Sequence, residues 1–298
     1  MTNSTPPMKG ILLAGGAGTR LHPLTLAMSK QLLPVYDKPM VYYPLSTLML
    51  AGIRDIMIIS TPQDIPLFKR LLGDGSQFGV TFEYRTQSSP DGIPQAFLIA
   101  ADWLDGSPCA LALGDNLIFA DHLSAILKQA TQRTIGATVF AYQVRDPERY
   151  GVITFDTEGR ALDIIEKPAD PASNWAVTGL YFYDHRVLEF SRKLRPSARG
   201  ELEITDLNRM YLEEGNLQVE RLGRGCAWLD AGLPDSLLEA SAFVHTIQAL
   251  QGMLVGSPTE VAYRMGFISR QQLIEQAQNI GKTELGRVLM DLSLRDRS

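Results

Sequence analysis

Short apolar runs alternate with longer amphipathic stretches along the first half of the chain. The apolar runs have the length of buried strands and span residues 11–14, 55–60, 108–113 and 137–144, and residues 80–87 alternate between apolar and polar, as a strand also does. The stretches between them have one apolar face, as helices do, and span residues 40–51, 62–72, 95–104 and 121–132. Strands that alternate with helices form right-handed βαβ units, so this half predicts a mainly parallel sheet covered by helices.

The alternation changes after residue 144. Strands are predicted as a pair within residues 151–166, joined at a Glu-Gly turn, and at residues 175–183 and 219–228. Helices are predicted at residues 203–214 and 234–250 and in about the last forty residues. We therefore predict an α/β protein with a three-layer α/β/α, Rossmann-like domain over residues 8–250. Residues 251–298 are expected to form a helical appendage packed on it, and residues 1–7 a flexible tail.

A glycine-rich loop follows the first predicted strand, with Gly15, Gly16 and Gly18 within four positions. Glycine lets a ligand approach the backbone closely, and successive exposed N–H groups form an anion-binding concavity. A tight turn after a strand is the alternative for the glycines alone. Arg20 and Lys30 add positive charge, and a guanidinium group matches phosphate oxygens, so the loop is predicted to bind a polyphosphate.

Spacing excludes two common phosphate-binding loops. A Walker A loop requires Gly-Lys-Ser/Thr before a helix, whereas Gly18 is followed by Thr19 and Arg20, and Pro23 interrupts any helix. A dinucleotide fingerprint requires a third glycine three positions after the second, where this chain has Leu21.

Composition narrows the class of protein further. The chain has 298 residues, 45% of them hydrophobic, and its net charge of −5 argues against nucleic-acid binding. No apolar run is long enough to span a membrane. Cys109 and Cys226 lie far apart, and the histidines lack metal-ligand spacing, so neither a zinc site nor a redox motif is predicted. Both cysteines are expected to be small buried side chains, which favours a cytoplasmic location.

Ligands of open α/β sheets bind beyond the carboxyl ends of the strands. The glycine loop would share that edge with residues 87–92, after the third strand, and residues 114–116, after the fourth. Asp115 is therefore predicted to be a metal ligand, and its alternative is an Asx turn that leaves the strand.

Two motifs carry a resemblance to a known family. Residues 13–21, Leu-Ala-Gly-Gly-Ala-Gly-Thr-Arg-Leu, and residues 29–35, Ser-Lys-Gln-Leu-Leu-Pro-Val, resemble the signature of sugar-1-phosphate nucleotidyltransferases. Residues 36–45, Tyr-Asp-Lys-Pro-Met-Val-Tyr-Tyr-Pro-Leu, are similar to its short glucose-1-phosphate thymidylyltransferases. The resemblance extends from about residue 8 to the C-terminus. It implies transfer of a thymidylyl group from dTTP to α-D-glucose 1-phosphate, giving dTDP-glucose and pyrophosphate.

The resemblance also implies a mechanism. A sugar phosphate oxygen attacks the α-phosphorus, and no general base is needed because a phosphate monoester with a second pKa of about 6 is dianionic at neutral pH. Mg²⁺, which takes one or two carboxylates plus phosphate oxygens, would be held by Asp115 and Asp230. Three cations are implied to be catalytic: Arg20 at the α-phosphate and pyrophosphate, Lys30 on the phosphates, and Lys167 on the sugar phosphate.

The other site residues come from matching the family's motifs. The nucleotide is expected to contact Leu13, Gly15, Gly16, Gly18, Thr19, Gln31, Gln87, Pro90, Asp91 and Gly92. Gln87 and Gly92 match positions that read the pyrimidine, where an amide offers both a donor and an acceptor. The sugar is expected to contact Asn116, Tyr150, Gly151, Glu166 and Val177. For Glu166 and Lys167 the alternative is a solvated turn after a strand.

Two segments depart from the family pattern. Residues 231–234 are Ala-Gly-Leu-Pro where the family has Thr-Gly-Thr-His, and Pro94 stands where a small residue is usual. Each proline can begin a helix. Loss of groups one step removed from a metal typically costs about 10–100-fold in metal affinity or activity. We therefore expect an active enzyme that needs more magnesium than its relatives.

Three functions remain open from the sequence. Besides the thymidylyltransferase, they are a relative that uses another pyrimidine triphosphate or hexose 1-phosphate, and a catalytically silent nucleotide-sugar sensor. The aspartates and the three cations argue against the sensor, which has no need of a metal pair. The resemblance further implies a homotetramer with a second, regulatory dTDP-sugar site near the subunit interface. Residues 260–266 and 271–280 are candidates for those contacts, and a helical cap on the same subunit is the alternative.

Overall fold

A nine-stranded mixed sheet lies at the centre of the computed structural model, which describes residues 6–16 and 18–295. The described strands are β1 Lys9–Leu13, β2 Pro34–Val35, β3 Lys38–Pro39, β4 Asp55–Ser60, β5 Thr81–Thr86, β6 Cys109–Leu113, β7 Asn116–Phe119, β8 Ala137–Gln143, β9 Gly151–Phe155, β10 Ala161–Glu166, β11 Trp175–Tyr183, β12 Leu217–Arg221 and β13 Ala227–Asp230. The described helices are α1 Tyr42–Leu50, α2 Ile65–Leu72, α3 Gln95–Ile99, α4 Ala101–Leu104, α5 Leu123–Thr131, α6 Val187–Lys193, α7 Ile204–Glu213, α8 Pro234–Gln251, α9 Pro258–Arg264, α10 Arg270–Ile280 and α11 Glu284–Arg295.

Strand order divides the sheet into two halves. Strands β6, β1, β4 and β5 are neighbours and run parallel, as the βαβ pattern predicts. Strand β11 joins this half to the rest by pairing antiparallel with β6 on one edge and with β8 on the other. Strands β9 and β10 extend the sheet beyond the start of β11, and β12 pairs with β8. The predicted α/β fold with a mixed sheet is confirmed.

Strands β1, β4 and β6 are almost entirely apolar because both faces of the sheet are covered there, whereas the edge strand β5 alternates and exposes Thr81, Glu83 and Thr86. Leu12 and Ile58 point into a cluster covered by α1, α2, α5 and the C-terminal helices. Ile11 and Ile59 point into a second cluster covered by α3, α6 and α7. Alternate residues of one strand thus enter different cores, and a strand buried on both faces shows no polar alternation.

The C-terminal helices pack against the first of these cores. Val261 of α9, Leu273 of α10 and Leu289 of α11 are buried in the cluster that also contains residues of α1. The division into a domain at 8–250 and an appendage at 251–298 stays a prediction, and residues 1–5 of the predicted tail lie outside the described residues. None of the described helices is long and apolar enough to cross a membrane.

Several local predictions differ from the structure. The strand expected over residues 219–228 is two strands in different sheets, because a Gly-Arg-Gly turn with Gly225 at φ 86° separates β12 from β13. The helix expected over residues 95–104 is interrupted at Ala100. Strand β7 and helix α6 were not predicted, since each is too short for its periodicity to stand out. Cys109 is buried as expected, whereas Cys226 is half-buried.

Candidate active site

The glycine loop leaves β1 at the carboxyl edge of the parallel strands. Gly16 has φ 104° and Gly18 has φ 59°, a region that favours glycine. The Gln31 side-chain amide stabilises the loop by donating a hydrogen bond to the Gly15 carbonyl at 3.2 Å. Thr25 donates to the Gly18 carbonyl at 2.8 Å. These two hydrogen bonds fix the carbonyls of Gly15 and Gly18 at the edge of the sheet.

A cleft opens in front of this loop and contains most of the residues predicted to bind the nucleotide. Its lining includes Leu13, Gly15, Gly16, Gly18, Thr19, Gln31, Gln87, Pro90 and Gly92, together with Arg20, Lys30 and Asp115. Asp91 is outside this lining, since its carboxylate accepts hydrogen bonds from Gln95 and Ser89. The cleft also includes Glu201 and Gly232, which the sequence did not indicate.

The end of the cleft away from Asp115 holds a fixed amide. Gln87 is 8% exposed, and its Nε2 donates to Gln95 Oε1 at 2.6 Å and to the Gly92 carbonyl at 3.3 Å. A Cβ atom at Gly92 would lie 2.1 Å from the Leu202 carbonyl oxygen, so only glycine fits there. The amide orientation is therefore set by the protein, and Oε1 faces the glycine loop, where a Cβ atom at Gly15 would lie 3.1 Å from it.

Two aspartates meet because β7 and β13 form a small antiparallel sheet. Asp230, at the end of β13, pairs with Asn116, which directly follows Asp115. The Ala231 N–H also donates to the Asp115 carbonyl at 3.1 Å. Residues separated by more than one hundred positions in the sequence are thus placed side by side.

The surrounding charges act differently on the two aspartates. Burial opposes ionisation of Asp115, but an ion pair with Lys30 and a hydrogen bond from Asn116 hold its pKa below the usual range. Burial and the nearby charge of Asp115 raise the pKa of Asp230, although Lys30, Arg20 and Arg149 oppose that shift. A buried carboxylate pair of this kind gains from sharing a cation.

The oxygen ligands of the pair suit a hard divalent metal. No group of three or more His, Cys, Asp or Glu side chains that could hold a metal occurs within residues 6–16 and 18–295. Magnesium commonly takes one or two carboxylates and completes its shell with phosphate oxygens and water. Two carboxylates such as Asp115 and Asp230 have the chemistry for such a shared site.

A second pocket adjoins the cleft and contains every residue predicted to bind the sugar. Its lining includes Asn116, Tyr150, Gly151, Glu166, Val177, Lys167, Asp115 and Asp230. Arg20, Asp115, Ile93 and Leu113 line both spaces. We call the first space the nucleotide cleft and the second the hexose pocket. Their shared border contains one predicted metal ligand and one predicted catalytic cation.

Polar side chains of the hexose pocket are tied to one another. Asn116 Oδ1 accepts hydrogen bonds from the Gly179 N–H at 2.9 Å and from Trp228 Nε1 at 2.6 Å. Glu166 accepts from Thr205 and, at 3.0 Å, from Arg199. These contacts hold the amide and the carboxylate in one orientation.

Lys167 is less constrained than its neighbour. It lies at φ 42°, and its N–H donates to the Tyr150 carbonyl at 2.9 Å. Its side chain is 46% exposed, with Nζ 3.5 Å from Glu166 Oε1. The turn at Glu166 and Lys167 is therefore solvated on one side and borders the pocket on the other.

Arg149 is a further cation at the pocket that the sequence reasoning missed. Its Nη1 donates to Asp146 Oδ2 at 2.5 Å, and its Nη2 lies 3.6 Å from Asp230 Oδ2. Its position directly before Tyr150 in the predicted motif was the available signal. Thr205 on α7 and Arg199 in the turn before α7 carried no local signal, because they approach Glu166 only through the tertiary structure.

The residues that follow Asp230 have distinct environments: Ala231 departs from the family pattern, whereas Gly232 matches it. Ala231 is fully buried in an apolar cluster with Val35, Met40 and Tyr43, so its methyl group does not face the aspartates. A Cβ atom at Gly232 would lie 3.0 Å from Arg20 Nη2 and 3.1 Å from Asp230 Oδ1. The absence of a side chain at that position lets Arg20 approach Asp230.

The two prolines lie at helix starts. Pro234 is the first residue of α8, and Leu233 is its N-cap residue, without a side-chain capping hydrogen bond. Pro94 is the N-cap residue of α3.

Comparison with known proteins gives the family. The nucleotidyl transferase profile matches residues 9–247. A glucose-1-phosphate thymidylyltransferase of Neisseria meningitidis is 56% identical over 96% of this chain and 99% of its own length. The one from Mycobacterium tuberculosis H37Rv is 54% identical, with the same coverage. The chain therefore belongs to the nucleotidyl transferase family and is a nucleotidyltransferase enzyme.

Solved structures agree with that placement. A Bacillus anthracis protein described as a glucose-1-phosphate thymidylyltransferase, in complex with sucrose, is 42% identical with a TM-score of 0.74. The match covers 79% of this chain and 94% of that one. A UDP-glucose pyrophosphorylase complexed with UDP-glucose shares the fold, with a TM-score of 0.69 at 24% identity over 81% and 99% of the two chains. The resemblance drawn from the motifs is confirmed.

Proposed function

We propose that this enzyme transfers a thymidylyl group from dTTP to α-D-glucose 1-phosphate, releasing pyrophosphate and giving dTDP-glucose. The observation that carries this proposal is the shared border of the nucleotide cleft and the hexose pocket at Arg20 and Asp115. A triphosphate in the cleft and a sugar phosphate in the pocket would meet there. The names of the relatives at 54–56% identity support this pair of substrates.

On the nucleotide side, the protein supplies positive potential and backbone donors. The N–H groups of the glycine loop and Arg20 would hold the β- and γ-phosphates and stabilise charge on the leaving pyrophosphate. Lys30 would grip the phosphates from the opposite wall once it exchanges its ion pair with Asp115 for phosphate oxygens. The fixed Gln87 amide would accept a hydrogen bond from the pyrimidine edge through its free Oε1.

On the sugar side, the pocket would orient the nucleophile. Glu166 would accept hydrogen bonds from hexose hydroxyls, and Gly151 and Val177, which line the pocket, would border the ring. Lys167 would hold the sugar phosphate, for which its exposed, extended ammonium group is suited. Catalysis then consists of aligning a dianionic phosphate with the α-phosphorus and neutralising charge.

We propose Mg²⁺ as the divalent metal, held by Asp115 and Asp230. Bound there, it would neutralise charge on phosphate oxygens of both substrates. The pKa of Asp230 is raised by burial and by the charge of Asp115, so a cation shared by the two carboxylates would stabilise the ionised form of Asp230.

We further propose that the enzyme is a cytoplasmic homotetramer with a regulatory dTDP-sugar site. A mostly apolar cavity between α1, β7 and α9 lies apart from the two substrate spaces, with Glu260 and Arg264 in its wall. Glu260 is 7% exposed and accepts from Arg264 at 2.8 Å. Arg264 would pair with the diphosphate there, so Arg264→Ala should remove inhibition by a dTDP-sugar while kcat persists. A monomeric mass in solution scattering would contradict the tetramer.

A panel of triphosphates crossed with sugar 1-phosphates tests the main proposal by pyrophosphate release. We expect the highest kcat/KM for dTTP with glucose 1-phosphate. Greater kcat/KM for another pair would replace the substrates while leaving the reaction class intact. No pyrophosphate with any pair would indicate a nucleotide-sugar sensor.

A further inference from the structure

Asp64 stands at the start of α2, but its side chain bonds to another segment of the chain. It is the N-cap residue of α2, a position where a carboxylate usually accepts a hydrogen bond from the first helical turn. Among the described residues, its carboxylate accepts hydrogen bonds from outside that turn instead. Oδ1 accepts from the Ser29 N–H at 3.1 Å, and Oδ2 accepts from the Thr61 hydroxyl at 2.7 Å. The carboxylate therefore holds a segment 35 positions earlier in the chain.

The segment that Asp64 reaches carries Lys30. Ser29 and Gln31 flank this lysine and are 5% and 1% exposed. The Ser29 hydroxyl donates to Gln31 Oε1, and Gln31 Nε2 donates to the Gly15 carbonyl at 3.2 Å. Because a carbonyl can only accept, Nε2 must be the atom at Gly15, which leaves Oε1 to accept from Ser29. Hydrogen bonds thus connect Asp64 to the glycine loop through Ser29 and Gln31.

The backbone of Lys30 is consequently fixed on both sides. Asp64 holds the residue before it, and the glycine loop is bonded to the residue after it. A lysine ammonium group sits on a flexible four-carbon stem, so its position depends on where the backbone is held. The Lys30 side chain is only 15% exposed and pairs with Asp115 in the wall of the nucleotide cleft.

The turn that carries Asp64 also contacts the end of β1. Ser60, the last residue of β4, is fully buried, and its hydroxyl donates to the Ala14 carbonyl at 2.7 Å. Ala14 directly precedes the glycine loop. Within the described chain, the linings of the nucleotide cleft and the hexose pocket include no residue between 60 and 64. Any effect of this turn on a ligand is therefore indirect.

We propose that Asp64 is a positioning residue for Lys30, holding the lysine-bearing segment so that the ammonium group meets the phosphates of the triphosphate. This inference rests on the proposed nucleotidyl transfer and on the role given there to Lys30. Removal of the Asp64 carboxylate should weaken binding of the triphosphate and leave the hexose pocket unaltered, because the segment that it holds lines the cleft alone.

Three variants at this position separate the hydrogen bond from the charge. Asp64→Ala removes the acceptor and should raise both Kd and KM for dTTP by about fivefold, while KM for glucose 1-phosphate changes by less than about twofold. Asp64→Asn keeps an acceptor oxygen for the Ser29 N–H without the charge, so it should match the parent within about twofold. Asp64→Ser serves if alanine prevents folding, which thermal denaturation detects, because serine is favoured at N-caps and has a shorter side chain.

A double-mutant cycle with Lys30 identifies the route of the effect. On a Lys30→Ala background, Asp64→Ala should change Kd for dTTP by less than about twofold, since the group that it positions is absent. Titration calorimetry measures this Kd without requiring turnover. A full loss on that background would overturn the proposal, as would a loss with Asp64→Asn equal to that with Asp64→Ala, equal effects on both substrates, or no effect of Asp64→Ala.

Asp74 provides a matched control. Its carboxylate also accepts from one backbone N–H and one hydroxyl, but both belong to Ser76, two residues later, at 3.0 and 2.6 Å. Asp74→Ala should leave the Kd for dTTP unchanged, and a loss like that of Asp64→Ala would overturn the assignment. If the parent releases no pyrophosphate from dTTP, the proposed function fails by itself, and the same variants are compared by Kd for the triphosphate that the parent binds.

Discussion

The nucleotide cleft and the hexose pocket share a border but are built differently. The cleft takes its glycine backbone and two cations, Arg20 and Lys30, from the segment that follows β1, and its other walls from residues 87–93, 113–115, 201 and 232. The pocket is formed by side chains from β7, β9–β11, β13 and α7, whose polar atoms are engaged with one another. Backbone and charge suit phosphate, which every triphosphate carries, whereas a network of oriented side chains suits discrimination among sugars.

This difference predicts which kinetic parameter a change will affect. Substitutions on the border should lower turnover with both substrates. Substitutions inside the pocket should act on the sugar alone, and, apart from those at Asp64, substitutions outside both spaces should act on stability alone.

The largest effect is expected from the aspartates on the border. Asp115→Asn and Asp230→Asn should each lower kcat by more than about 100-fold at any practical magnesium concentration, since removing a ligand costs more than removing its support. A magnesium titration of pyrophosphate release measures this. If Asp230→Asn titrates like the parent, the assignment of the metal pair is wrong.

Arg20→Ala should have the next largest effect. Its guanidinium is expected to stabilise charge that develops on the pyrophosphate, so kcat should fall by about 10²–10³-fold. Arg85→Ala is the control, because Arg85 pairs with Glu83 and Asp102 at the surface of β5. Near-normal kcat/KM for Arg20→Ala would show that Arg20 is structural. At the border, only the metal ligands would then contribute to catalysis.

Lys167→Ala tests whether the two spaces are separable. KM for the sugar phosphate should rise by about tenfold or more, corresponding to one charge-assisted contact, while KM for dTTP changes little. Lys193→Ala, which removes an exposed lysine paired with Glu189, is the matched control. Equal effects of Lys167→Ala on both substrates would contradict the division into cleft and pocket.

The smallest effect is expected at Leu233, beside the border but outside both linings. A threonine at this N-cap position can accept a hydrogen bond from the first turn of α8, so Leu233→Thr should raise the free energy of unfolding by about 1 kcal/mol. Chemical denaturation measures it. The same variant tests the expected magnesium requirement: a lower requirement would show that the family's hydroxyl at this position also supports the metal site.

Much of the fold follows from local pattern. The main-sheet strands β1, β4, β6 and β8 were predicted because apolar runs of that length are buried on both faces, and β5 was predicted from its alternation. The failures lie where pattern is short or interrupted. Strand β7 has four residues, and the turn at Gly223–Gly225 divides a run that otherwise resembles one strand.

The phosphate-binding role of the glycine loop, Arg20 and Lys30 could be predicted from the sequence, because all of them lie on one continuous segment. The sequence by itself determined the class of fold, the phosphate-binding loop and the residue types offered to the ligands. The resemblance already paired Asp115 with Asp230, but only the tertiary structure decided how the two meet, through β7 and β13. It also decided that Arg149 approaches Asp230 and that Thr205 donates to Glu166. These relations depend on the pairing of β7 with β13 and on the packing of α7. Contacts between residues far apart in the chain leave no periodic signal in the segments that make them.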